Sequence, residues 1–416
     1  MAGRSFLVCL IVLVPLLCAC GSDSSSSGSS QAVSSDFGWM KDYKPPKSGC
    51  GKFSPPMPAD KDGVIAALDS KHQAAYPGVT DYKGSLTEIV KSPWSNWKPK
   101  HGPPYKVAVS WSGLFNDYQV QIWDTLKKEF AKAGYKTDFK TTGNVLNVPD
   151  QLQQFDQLIA EKPDLIVLQA ATPPAFRDQV KRAAKAGIPV ITANSSINGP
   201  DPINVDANYN QNAGNLTSHV TRALGGKGNV VLVHGIAGSG NDLQAGPAWK
   251  SVLATCPGIK TVGEVYGGYD NSIAKSEMLR YLGTHPQKVD AVIETGAMGA
   301  GILQAFQQSG RPIPIIAEGG PSKQVVGYWN KHQDKPYLAA GVGPGPVAGS
   351  VVAATTLMLE TGHPKLNLLL GVAPPVNNSN IKEWADPSWD DRTQGLATGP
   401  SDWFLTEDYQ KEFFGK

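Results

Sequence analysis

The chain has 416 residues, with 38 basic and 36 acidic side chains and a formal net charge of +2. This balance, without a concentrated basic run, gives no electrostatic footprint for nucleic acid. The length suits two lobes, each large enough to hold its own core.

Arg4 is followed by an apolar run from Phe6 to Leu17, long enough for a signal-peptide core and short for a membrane span. The run closes on Leu17-Cys18-Ala19-Cys20. This stretch resembles a bacterial lipobox, in which a small residue precedes a cysteine that becomes the acylated N-terminus. Residues 1–19 are therefore expected to be removed, and Cys20 to carry a lipid anchor on the extracytoplasmic face of the cell membrane. Residues 20–44, with the Gly/Ser-rich stretch from Ser22 to Ser35, read as a flexible tether.

Residues 45–104 form an N-terminal extension broken by prolines, with helix-like patches at Val64 to Ala75 and Leu86 to Lys91. After processing, Cys50 and Cys256 are the cysteines left in an oxidising compartment. They either bridge or remain separate thiols, and spacing alone does not decide between the two.

From Tyr105 the pattern changes to short apolar runs alternating with amphipathic stretches, as in repeated βαβ units around a parallel sheet. Strands are predicted at Lys106–Trp111, Leu165–Gln169, Ile188–Ala193, Val230–His234, Ala291–Glu294 and Ile313–Ala317. Helices are predicted at Asp117–Ala133, Asp150–Ala160, Ala175–Ala186, Ala297–Ser309 and Val347–Leu359. Three of these helices run into Gly134, Gly187 and Gly310, where glycine takes a left-handed turn at low cost. The series from Tyr105 to Val205 and from Gly228 to Ala317 are each the size of one α/β lobe. The expected fold class is thus α/β, with two doubly wound parallel-sheet lobes.

At this point the chain resembles the type I periplasmic-binding-protein family, in its ribose-binding-protein-like sugar branch. The residues that carry the likeness are Lys106-Val107-Ala108-Val109 leading to Asn116-Asp117-Tyr118, then Lys185-Ala186-Gly187-Ile188-Pro189-Val190-Ile191. They continue with Gly235-Ile236-Ala237-Gly238, and Thr284-His285-Pro286 before Val289-Asp290-Ala291-Val292. The resemblance covers most of Tyr105 to Thr361. It implies a hinge of three crossings, near Val205, near Leu338 and beyond Leu369. Lobe 1 would then comprise 105–206 and 340–370, and lobe 2 would comprise 207–339 and 371–416. It also implies a small-molecule ligand, a sugar or sugar-like solute, with no cofactor, and an ABC permease in the membrane as partner; a membrane receptor is the alternative recipient.

Ligands of open parallel sheets sit beyond the carboxyl ends of the strands. The loops there offer Trp111, Phe115, Asn116, Tyr118, Gln169 and Asn194 from the first lobe, and Asn241, Asp242, Tyr269, Glu294 and Glu318 from the second. Amides and carboxylates meet hydroxyls, and aromatic rings pack on the C–H faces of a sugar. By the resemblance, Asn116, Tyr118 and Tyr269 match the family in type. The Asp-Arg pair of many sugar binders is replaced by Asn194-Ser195, and a second-lobe arginine is absent from Ala245-Gly246-Pro247-Ala248-Trp249, which puts ribose itself in doubt.

Enzymatic chemistry has little support. Gly235 to Gly240 lacks the G-x-G-x-x-G spacing, and Ala237 and Asn241 occupy the glycine positions of a nucleophile elbow around Ser239. No two of the seven histidines lie three or four residues apart, so no metal site is expected.

Overall fold

The computed structural model describes residues 49–80, 86, 88–399 and 404–415. The signal segment, the tether and Cys20 lie outside the described residues. Among its described residues the extension contains one short helix, α1 (Ser70–Gln73).

The first sheet is built from β1 (Lys106–Trp111), β2 (Lys136–Thr141), β3 (Leu165–Gln169), β4 (Val190–Ala193) and β5 (Pro202–Ala207). Between them run α2 (Asp117–Lys132), α3 (Val148–Ala160) and α4 (Arg177–Lys185). The chain then enters the second lobe with α5 (Tyr209–Ala223), β6 (Gly228–His234), α6 (Gly240–Leu253), β7 (Ile259–Tyr266) and α7 (Asn271–Thr284). It continues through β8 (Ala291–Glu294), α8 (Gly299–Ser309), β9 (Ile315–Glu318), α9 (Lys323–Lys331) and β10 (Leu338–Ala339). Helix α10 (Pro344–Glu360) and β11 (Leu368–Gly371) return to lobe 1, and β12 (Val376–Asn377) goes back to lobe 2. A last helix, α11 (Glu407–Phe413), closes the chain.

Strand order is β11-β5-β4-β3-β1-β2 in the first sheet, all parallel, and β12-β10-β9-β8-β6-β7 in the second, where only β12 is antiparallel. Central strands such as Leu165–Leu168 and Ala291–Glu294 are buried throughout, because helices cover both faces. Gly134, Gly187 and Gly310 all have positive φ (75°, 74° and 67°). Each turns the chain out of a helix.

The crossings that connect strands of the two sheets lie after Ala207, between Ala339 and Pro344, and between Gly371 and Val376. Asn208 ties two of them, because its N–H donates to Gly371 O at 2.7 Å while its side chain caps α5 at Gln211 N. Gly341 lies where the second crossing passes the loop after β9. A Cβ there would sit 1.5 Å from Gly319 O, so no larger residue fits without moving the backbone.

Two expectations are corrected. The described residues of the patches at Val64 to Ala75 and Leu86 to Lys91 are turns and extended chain apart from α1, because their apolar residues Ile65, Leu68, Leu86 and Ile89 are anchored individually in the lobe 1 core. Residues 371–416 do not all belong to lobe 2. Trp384 packs in the lobe 2 core, whereas Phe404, Leu405, Tyr409, Phe413 and Phe414 pack in that of lobe 1, where Tyr409 meets Tyr76 hydroxyl to hydroxyl at 3.0 Å. The N-terminal extension meets both lobes. Cys50 and Cys256 form a disulfide, and Phe53 covers Gly214 of α5, so the first part of the extension holds lobe 2. Tyr76 and Trp94 hold lobe 1, and Asn208 at the first crossing donates to Ala75 O and Pro77 O between them, each at 2.8 Å. The extension therefore runs along the hinge from one lobe to the other.

Candidate functional site

The loops at the carboxyl ends of both sheets face each other across a cavity. On the lobe 1 side the turn after β1 brings Ser112, Phe115 and Asn116 to the wall. Asn116 is the N-cap of α2, and its Oδ1 accepts from Gln119 N at 3.0 Å. Its Nδ2 donates across the cleft to Tyr269 O at 3.0 Å. One side chain thus starts a helix in one lobe and latches a loop of the other.

Gln169, at the end of β3, accepts a short hydrogen bond from Ser112 Oγ. Asn194 follows β4 at φ 51°, and its Nδ2 donates to the Tyr118 hydroxyl at 2.6 Å. Tyr118 in turn meets Tyr209, the first residue of α5, and burial raises both phenols, Tyr209 well above the ordinary tyrosine range. They stay neutral.

On the lobe 2 side, the Gly-rich turn after β6 contributes Ile236, Ser239 and Asn241. Ser239 Oγ and the Tyr269 hydroxyl lie 2.9 Å apart, and Asn241 Nδ2 donates to Thr295 O at 2.8 Å. Gly235 is required here, since a Cβ would fall 1.9 Å from the Tyr269 ring. The loops at Thr295–Ala297 and Gly319–Pro321, the crossing at Val342–Gly343, and Leu396–Ala397 complete the lining.

Seven of the eleven expected ligand residues line this cavity: Phe115, Asn116, Tyr118, Gln169, Asn194, Asn241 and Tyr269. The other four stand behind it. Trp111 is fully buried in the lobe 1 core, and its indole N–H donates to Gln119 Oε1 at 2.8 Å, so it places Gln119. Asp242 points to His234 Nδ1 at 2.8 Å, while His234 Nε2 lies 3.3 Å from Glu264 and its ring packs on Trp249.

Glu294 receives N–H bonds from Gly296 and, at 2.8 Å, from Gly319, fixing two lining loops from behind. Burial pushes its carboxyl up to about 7 despite these amides, which pull the other way. Glu318 is held by Ser322 N and, at 2.7 Å, by the Tyr337 hydroxyl. Burial, with Glu294 nearby, raises it well above the carboxylate range. Glu294 and Glu318, expected to grasp hydroxyls, serve the protein interior instead, because both strand-end side chains turn inward rather than to the cleft.

The sequence reasoning missed Gln119, Tyr209, Ser239 and Leu396. Gln119 lies one helical turn beyond Asn116, which places both on one face and was a usable signal. Tyr209 follows a hinge crossing and Leu396 comes from the C-terminal tail, where no strand-end rule points. Among the described residues no group of His, Cys, Asp or Glu is arranged to hold a metal, and no helix is long and apolar enough to cross a membrane.

Residues 107–359, which span both lobes, match the family described as periplasmic binding protein domain. The chain is 28% identical over 177 residues to a xylitol-binding protein of Mycolicibacterium smegmatis, covering 42% of this chain and 51% of that protein. It therefore spans about half the length of that relative. It is 25% identical to a putative rhizopine-binding protein of Rhizobium meliloti, covering 50% of this chain and 69% of that one. Among solved structures, an ABC transporter solute binding protein from Thermobispora bispora superposes with a TM-score of 0.64 at 22% identity, over 74% of this chain and 94% of that one. A solute binding protein from Bacillus halodurans with bound myo-inositol gives 0.59 at 19% identity, over 68% and 98%. These structures share the two-lobed fold with the present one. With the family match covering more than half of its length, the chain belongs to the periplasmic binding protein domain family.

Proposed function

We propose that the protein captures a small sugar-like solute between its lobes and delivers it, unchanged, to an ABC importer. The observation that carries this reading is the cavity itself, walled by both lobes and latched across by the bond from Asn116 to Tyr269 O. A solute held by both walls makes its full set of contacts only when the lobes are together, so binding favours closure. A permease can then distinguish the loaded form by the relative placement of the lobes.

Relatives named for xylitol and rhizopine, and a structural neighbour holding myo-inositol, support polyols and cyclitols as the ligand chemistry. The lining supports it as well, since Asn194 and Asn241 offer amide oxygens beside the rings of Phe115, Tyr118 and Tyr269. In this reading no bond of the solute is made or broken. The protein acts outside the cytoplasm, held at the membrane by a lipid on Cys20, as the Leu17-Cys18-Ala19-Cys20 stretch indicates.

Equilibrium dialysis against a pool of polyols, sugars and cyclitols, followed by mass spectrometry of the retained fraction, tests this. Recovery of an unaltered solute at one per chain supports capture. Recovery of a cleaved or oxidised product would replace it with catalysis.

A further inference from the structure

The wall of the cavity is unusual for a site that must grip a hydroxyl on every carbon. None of the described lining residues is Asp, Glu, Lys, Arg or His. The nearby acids Glu294 and Asp242 are turned away from it and bonded behind the loops. Carbon surface comes from Phe115, Leu146, Pro173, Ile236, Val342 and Leu396, drawn from both lobes, the hinge and the C-terminal tail.

The polar side chains of the wall are also largely engaged with the protein. Asn116 uses both ends of its amide, on Gln119 N and Tyr269 O. Asn241 donates to Thr295 O, Ser195 Oγ accepts from Ala170 N, and Ser239 pairs with Tyr269. Two wall residues are different: Thr295 Oγ1 is buried and has no hydrogen-bond partner, and Asn194 is only half engaged. Its Nδ2 is held by Tyr118, but its Oδ1 is buried and has no hydrogen-bond partner. A buried acceptor left unpaired is costly, and a donor arriving with the ligand would satisfy it.

Resting on the proposed capture of a solute in this cleft, we infer that the site selects an uncharged ring compound with one hydroxylated edge and one carbon-covered edge, the class of deoxy or O-alkylated sugars and cyclitols. It prefers such a compound to the fully hydroxylated parent and rejects charged derivatives. The hydroxylated edge supplies the donor that Asn194 Oδ1 lacks, and the carbon edge lies on the apolar surfaces. Each extra hydroxyl placed there would give up water without gaining a partner, at a cost of roughly tenfold in affinity. A carboxylate or ammonium would be buried without a counter-charge.

Isothermal titration of the full mature protein with matched sets tests this: glucose, 6-deoxyglucose and glucuronate, with myo-inositol and its mono-O-methyl ether. The expected result is a Kd at least about tenfold lower for the deoxy or O-methyl member of a set than for its parent, and no saturable binding of glucuronate. A parent that binds as tightly as its derivative, or a saturable glucuronate, overturns the inference while leaving solute capture intact. No binding of any member by protein shown to be folded overturns solute capture and the inference with it.

Discussion

Asn116 Nδ2 donates to the backbone oxygen of Tyr269 at 3.0 Å, joining the first helix of one lobe to a cleft loop of the other. The same residue caps α2 through Oδ1, so its two functions can be separated by substitution.

Asn116→Ser keeps a good helix cap but is too short to reach Tyr269 O. Stability should change by less than about 0.5 kcal/mol, while ligand affinity falls by roughly fivefold to tenfold, the worth of one interlobe hydrogen bond. Asn116→Ala loses the cap as well and should cost about 1 kcal/mol in stability. Urea unfolding and calorimetric titration of both variants separate the two effects, and equal affinity in wild type and Asn116→Ser would remove the latch from the account.

Gly235→Ala sets a methyl against the Tyr269 ring, where the backbone places a Cβ 1.9 Å from the nearest ring atom. The ring must leave its partner Ser239, and the loop bearing the Asn116 latch moves with it. Solute binding should fall by about 100-fold with a stability loss of roughly 1–3 kcal/mol. Titration beside a thermal melt reads both.

The disulfide between Cys50 and Cys256 fastens the start of the extension to lobe 2 across a sequence separation of 206. Replacing both cysteines by alanine frees a long loop in the unfolded chain and should lower stability by about 2–5 kcal/mol. Because Tyr76 and Trp94 hold the extension to lobe 1 independently, the variant should still fold. Guanidinium unfolding of the oxidised protein and the double variant measures the difference.

Glu294 has its carboxyl pushed up to about 7 by burial, against an ordinary value of 4.5. Below about pH 4.5 it is protonated in both folded and unfolded chains and imposes no pH-dependent cost. As pH rises from 4.5 to 7 the unfolded chain releases this proton while the folded one retains it, so stability falls by about 3 kcal/mol and then levels off. Glu318 acts in the same direction. Glu294→Gln gives up part of the bonding to Gly296 and Gly319 at every pH but should remove its share of that slope. Urea midpoints from pH 4 to 8 for both proteins check the sign.

Strands such as β3 and β8 were legible because burial on both faces leaves uninterrupted apolar runs, as in Leu165–Leu168 and Ala291–Ile293, whereas the equally buried β5 was not, because Asn204 and Asp206 interrupt its run. Edge strands were not. Strand β2 reads Lys-Thr-Asp-Phe-Lys-Thr and is half exposed, so its composition matches that of a loop. Helix α5 escaped notice for the opposite reason: Asn210, Asn212, Thr217, Ser218 and Thr221 are buried, with Asn212 bonded to the hinge, Ser218 to the extension and Asn210 to α6, which erases the apolar stripe. Within the site, the rule that ligands lie beyond strand ends found Asn116, Asn194 and Tyr269. It could not tell a side chain turned toward the cleft from one turned inward, as Glu294, Glu318 and Asp242 are. That choice depends on backbone amides of loops distant in sequence, such as Gly319 N on Glu294.

Solute capture in the interlobe cleft is the claim on which the rest depends, and a thermal-shift titration of the mature protein with neutral polyols, sugars and cyclitols tests it most directly, with Gly235→Ala as control. The account predicts a saturable rise in melting temperature with one class, following mass action, that is lost in the control. An equal rise in the control would place binding outside the cleft, and a flat response from folded, ligand-free protein would contradict solute capture itself.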